Sequence, residues 1–167
     1  MQRLSTLVRQ FYEGPEEVRD QLLPGVLLWR EAPARSTQEL LWQTVPRFEA
    51  GVTLHDPVVI PLRKRTDRPN PFALGITIGR ASNNDIPLDH ASVSRFHAYL
   101  QLQSSGAFEL FDADSSNGTL CDERPVPSRR GVTVRDGTRI TLGDVTLMFY
   151  LPSTFEAIWL QPAGRGG

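Results

Sequence analysis

Residues 94–102 read Ser94-Arg95-Phe96-His97-Ala98-Tyr99-Leu100-Gln101-Leu102, a short polar run that passes into alternation of apolar and polar side chains. Phe96, Ala98, Leu100 and Leu102 fall on one side of a chain with period two, and His97, Tyr99 and Gln101 on the other, which predicts a half-buried β-strand. Val145, Leu147, Phe149 and Leu151 alternate with Thr146, Met148 and Tyr150 in the same way. Shorter candidate strands lie at 58–63, 74–78, 108–111, 132–134 and 139–142, separated by Gly, Asn, Asp and Ser clusters. Asp136-Gly137 and Gly143-Asp144 read as tight turns between the last of them. Several short strands at this spacing predict a mainly β protein, an antiparallel β-sandwich over residues 56–152.

Outside that region the period changes. Leu4, Leu7, Val8, Phe11 and Tyr12 repeat at helical spacing, which lays one apolar stripe on a helix over 2–12. Gly14-Pro15-Glu16-Glu17 then breaks the chain and starts a second helix, with a proline at a first helical position and acids at the positive end of the helix dipole. Pro24-Gly25 stops it after Leu23. A third candidate runs from Ser36, with Glu39 completing a capping box, to Trp42 or Gln43. Residues 1–55 therefore read as a helical N-terminal extension, too short for a core of its own, that packs on the sandwich or on a second copy of the chain. Ser153 with Glu156 forms another capping box, so 153–167 reads as a short C-terminal helix and a disordered tail ending Gly164-Arg165-Gly166-Gly167.

Composition narrows the function. With 18 basic against 19 acidic residues, the 167-residue chain lacks the positive field that duplex nucleic acid requires. No apolar run reaches the roughly 18 residues of a membrane span, and one cysteine, Cys121, forms no internal disulfide, so the chain reads as cytoplasmic, with no membrane partner. His55, His90, His97 and Cys121 show no metal-ligand spacing, and no cofactor is implied. Ser94 and His97 superficially offer a nucleophile and a base. Three positions apart on an extended chain they point to opposite faces, and no nucleophile elbow accompanies them, so no catalytic residue is assigned.

The polar runs between the strands carry the chemistry: Gly79-Arg80, Asn83-Asn84-Asp85, Ser94-Arg95-Phe96-His97 and Ser115-Ser116-Asn117-Gly118-Thr119. They supply guanidinium groups, hydroxyls and a carboxamide from loops, the donors needed to hold a phosphate and the backbone beside it. Simpler readings exist at each position. Arg80 can pair with Asp85 or Asp89, Ser94 and Ser116 can bond their own turns, and Asn117-Gly118 is a hairpin signal.

In this order, with strands between them, the runs give residues 56–151 a resemblance to the forkhead-associated (FHA) domain, a β-sandwich that binds phosphothreonine peptides through loops at one end. The resemblance implies that Arg80, Ser94, Arg95 and Ser116 hold the phosphate and that the Asn117 carboxamide clamps the peptide backbone. It implies structural support from Gly79, His97, Gly118 and Thr119, with His97 bracing a loop from beneath. The partner it implies is a phosphothreonine-containing protein, a kinase or kinase substrate, met in signalling. The alternative is a phosphate-independent scaffold built on the same sandwich. Arg129-Arg130, on the segment after the Asn117 turn, are placed to favour acidic residues in such a partner.

Overall fold

The alternating stretches form two facing β-sheets in a computed structural model, which describes residues 1–30, 56–67, 72 and 75–161. The candidate helix at Ser36 and the glycine-rich tail lie outside the described residues. One sheet contains β1 (Gln2–Arg3), β2 (Val26–Trp29), β3 (Val58–Pro61), β8 (Thr119–Cys121), β9 (Arg124–Pro125), β11 (Arg139–Leu142) and β12 (Val145–Tyr150), in the order β1-β3-β2-β12-β11-β8-β9. The other contains β4 (Ile76–Gly79), β5 (Ile86–Pro87), β6 (Ala98–Leu102), β7 (Phe108–Asp112) and β10 (Val132–Val134), in the order β10-β7-β6-β4-β5. The pairs are antiparallel except β4 with β5.

Period two places the core between the sheets. Val145, Leu147 and Phe149 of β12 are buried there with Ala98 and Leu100 of β6, Phe108 and Leu110 of β7, and Ile140 and Leu142 of β11. The apolar pattern overruns the strand at its start: Phe96 lies before β6 and is 40% exposed, because the chain is still in a loop at that point.

The N-terminal region is helical only in part. Helix α1 (Leu4–Glu13) starts two residues later than the stripe predicts, since Gln2 and Arg3 pair with Val59 and Val58. Helix α2 (Pro15–Leu22) carries Pro15 in its first turn. Residues 26–29, placed by the sequence reading within a helical extension, are instead a strand between β3 and β12. The division at 55/56 therefore passes through the sheet, and the sandwich draws strands from both sides of it.

Both faces of β2 are used. Leu27 points into the inter-sheet core, whereas Val26 and Leu28 join Val59, Leu4, Leu7, Phe11, Val18, Leu22, Phe155 and Leu160 in a second buried cluster. Helices α1 and α2 thus cover the outer face of the larger sheet, making a third layer. Tyr12 is excluded, at 62% exposure, because it lies about 80° around the helix from Leu4 at roughly 100° per residue. Leu4, Leu7 and Phe11 of the stripe that suggested a contact with a second copy are buried within one chain.

At the C-terminus, α3 (Pro152–Phe155) continues into a π-helical turn over Glu156–Leu160. Leu151, not Ser153, caps it, since Pro152 already supplies a first helical residue with fixed φ. The Leu151 N–H donates to Asp136 Oδ1 at 2.8 Å and the Thr154 hydroxyl to Asp136 Oδ2 at 2.5 Å, so an acid from the β10–β11 turn occupies the place expected of Glu156. Glu156 instead receives Arg19 of α2 in a two-pronged pair at 2.7 and 2.8 Å, which fastens the two ends of the chain together. Among the described residues no helix is long and apolar enough to cross a membrane.

Candidate functional site

The loops at one end of the smaller sheet converge because β4 and β6 are neighbours. Past Gly79, the Arg80 N–H donates to Ser94 O at 2.9 Å and the Ala81 N–H to Arg95 O at 3.0 Å, so 80–81 runs alongside 94–95. Asn84 closes the turn from within: its buried Nδ2 donates to Ala81 O at 2.8 Å and Arg95 O at 2.7 Å. Glycine at 79 follows from this closeness. A Cβ there would lie 2.9 Å from Asn84 Nδ2 and overlap the Arg95 carbonyl oxygen.

His97 joins this pair of loops to a third. The ring is fully buried. Nδ1 accepts the Ser94 N–H at 3.0 Å and Nε2 donates to Gly118 O at 3.0 Å, which requires the neutral ring with its proton on Nε2. Burial holds its pKa below the ordinary histidine value, against the opposing pulls of the Gly118 carbonyl and Asp112. Ser94 and His97 do meet, but through a backbone N–H. The Ser94 hydroxyl is directed at Ser116 instead.

Asp112, at the end of β7, holds the third loop. Its Oδ2 accepts the Ser115 N–H at 3.0 Å, and Oδ1 accepts the Ser115 hydroxyl at 2.7 Å and the buried Thr119 hydroxyl at 2.5 Å. Burial raises this carboxyl's pKa, but those three donors and nearby His97 outweigh it and the net shift is downward. The loop then turns through Gly118 at φ +77, a left-handed conformation that glycine adopts without strain.

Above this frame sit the exposed donors. Arg80 donates through Nε to Val93 O at 3.2 Å, which leaves its two terminal nitrogens without a hydrogen bond among the described residues. Its possible pairing with Asp85 does not form: the Asp85 carboxylate is buried and accepts Lys64 Nζ, the Thr77 N–H and hydroxyl, and the Arg65 N–H. Ser94 Oγ accepts the Ser116 N–H at 3.0 Å and lies 3.5 Å from Ser116 Oγ, placing the two hydroxyls side by side. Arg95 and Asn117 are exposed beside them. Asn117 Nδ2 donates one of its two N–H groups to Ser92 O at 2.8 Å, and the other N–H and Oδ1 have no hydrogen bond among the described residues.

The structure thus gathers Arg80, Ser94, Arg95, Ser116 and Asn117 at one end of the sandwich, with Gly79, His97, Gly118 and Thr119 beneath them. Three further residues shape the site without having been singled out for it. Asn84 stands in the sequence within the Asn83-Asn84-Asp85 run and Asp112 just after a candidate strand, with nothing in either position to show that its side chain holds a neighbouring loop. Ser92 has no signal, since its partner is reached only through the fold. Its Oγ accepts the Asp144 N–H at 2.8 Å and bonds His90 Nδ1 at 2.8 Å, tying the β11–β12 turn to the loop that holds Asn117.

Comparison with known proteins gives the class. Residues 76–143 match the FHA domain family model. Human kanadaptin is 36% identical over 88 residues, which are 47% of this chain and 12% of that protein. The oxoglutarate dehydrogenase inhibitor of Corynebacterium glutamicum is 37% identical over 73 residues, 44% of this chain and 48% of that one. The chain therefore spans half or less of the length of these relatives. The solved FHA domain of an Arabidopsis thaliana hypothetical protein is 21% identical with a TM-score of 0.49, covering 78% of this chain and 88% of that one. Residues 76–143 are thus similar to the FHA domain, and the chain folds as an FHA-like sandwich with helices at the N-terminus and a short one at the C-terminus.

Proposed function

We propose that the loops around Arg80, Ser94 and Ser116 bind a phosphothreonine in an extended segment of another protein, so that the chain serves as a phosphorylation-dependent interaction module in signalling. The observation that carries this reading is the Arg80 guanidinium, fastened through Nε to Val93 O and open at its terminal nitrogens, on a loop whose backbone bonds to Ser94, the residue whose hydroxyl is paired with that of Ser116. A planar guanidinium gives a phosphate two parallel charge-assisted bonds, and the hydroxyls and the exposed Arg95 add donors to the remaining oxygens. The Asn117 Oδ1 accepts an N–H from the peptide beside the phosphate, with its Nδ2 held by Ser92. The partner is a phosphothreonine-bearing protein, of the kind that kinases and their substrates supply.

Replacing Arg80 tests this. Each charge-assisted bond contributes about 1.5–3 kcal/mol, so losing two weakens a phosphothreonine peptide by about 100-fold or more. Calorimetry on Arg80→Ala should show that loss with the thermal unfolding curve intact, because the side chain is exposed and its backbone bond to Ser94 survives. Unchanged affinity in the folded variant contradicts the assignment. Equal binding of a phosphorylated peptide and its unphosphorylated twin by the native chain would favour the phosphate-independent scaffold instead.

A further inference from the structure

We infer that the partner segment carries acidic side chains near its phosphothreonine, and that Arg129 and Arg130 receive them; the inference rests on the phosphate reading above. Both arginines lie on the loop joining β9 to β10, and this loop is built against the site. At its start the Val126 N–H donates to Thr119 O at 2.9 Å and the Val126 side chain is buried. In its middle the Ser128 hydroxyl donates to Asp114 Oδ1 at 2.8 Å, and Asp114 is two residues from Ser116 on the loop that carries the proposed phosphate contacts. At its end the backbone at Gly131 rests on the Phe111 ring, which stacks on Tyr99 with centroids 4.8 Å apart. Three anchors therefore hold the arginines beside the 113–118 loop.

The charges on this segment are unequal in their freedom. Glu123 is paired with Arg139 at 2.8 Å, Asp122 Oδ1 accepts the Arg139 N–H at 2.8 Å, and Asp114 receives Ser128. Arg129 and Arg130 are exposed and have no ion-pair partner among the described residues. An extended peptide advances about 3.3 Å per residue, so one whose phosphate sits at Ser116 passes this loop within a few residues. Carboxylates at that distance meet guanidinium groups able to bind them through two parallel bonds.

The test walks a single Glu through each of about four positions on either side of phosphothreonine in an otherwise neutral peptide and measures affinity for the native chain and for Arg129→Gln/Arg130→Gln. Exposed ion pairs of this kind are worth a factor of about 2–5 each. The native chain should therefore prefer Glu at one or two positions by about three- to ten-fold. That preference should vanish in the double variant and shrink at about 0.5 M salt, where the screening length falls to a few ångströms. Affinity of the double variant for the neutral phosphopeptide should be unchanged, which separates these arginines from the phosphate contacts. Equal affinity of the native chain for every peptide overturns the inference while leaving the phosphate reading standing. Failure of the native chain to bind any of the phosphopeptides overturns both.

Discussion

At the scale of single residues, fully buried His97 ties together the loops of the candidate site. Replacing it with Ala removes the acceptor for Ser94 N–H and the donor to Gly118 O, and each buried group left unpaired costs about 1–3 kcal/mol. His97→Ala should therefore lose about 2–5 kcal/mol in urea denaturation; a loss below about 0.5 kcal/mol would show that the ring does not hold the loops. The same ring makes stability depend on pH. Its folded pKa lies below the ordinary 6.5, so between the two values the unfolded chain binds a proton that the folded chain does not. The stability tied to neutral His97 is complete above pH 6.5 and is lost as pH falls through the folded value. An NMR titration of the His97 imidazole should find a midpoint below 6.5, and one above it would contradict the tether. Asp85 and Asp112, both held below 3.8, contribute stability that is present above that value and is lost at lower pH, away from this window. The place of His97 in the chain was legible through the resemblance, yet its alternation with apolar neighbours suggested the polar side of a strand. It is buried because a loop, not solvent, covers that side.

Among the elements, those with a clean period were readable and those without were not. β6 and β12 alternate over several residues, with one face in the core and the other half-covered. β2 reads Val26-Leu27-Leu28-Trp29, an unbroken apolar run, because the sheet core takes Leu27 on one side and the helical layer takes Val26 and Leu28 on the other. A strand buried on both faces loses its alternation, which is why it was absorbed into a helical extension. β5 and β9 are two residues long and each contains a proline, too short for any period to show. The helix α1 was legible from its stripe, and it predicts its own test. Leu7 is fully buried against the larger sheet, so Leu7→Ala should cost about 2–5 kcal/mol while leaving phosphopeptide affinity within about twofold, since the helix lies on the sheet that does not carry Arg80 or Ser94. A matching loss of affinity in the folded variant would mean that the helical layer shapes the site.

For the molecule as a whole, three layers account for the fold: the α1–α2 cover with the C-terminal helix, the larger sheet, and the smaller sheet whose loops meet over His97. Because β2 lies inside the larger sheet, residues 1–30 are part of the sandwich, and a fragment starting at 56 should lack a cooperative unfolding transition; a stable fragment would place the sandwich wholly after residue 55. The candidate donors were legible as short polar runs, since their chemistry needs no knowledge of the core. What the runs could not show was their division into exposed donors and buried frame, which depends on which hydroxyl faces which loop. The central claim is that these exposed donors receive a phosphate on threonine. It is tested most directly by titrating the native chain with a phosphothreonine peptide and its unphosphorylated twin while following backbone amide signals by NMR. Shifts are expected at 80–84, 94–96 and 115–118 with the phosphorylated peptide alone. Equal shifts with both peptides, or shifts confined to α1 and α2, would contradict it.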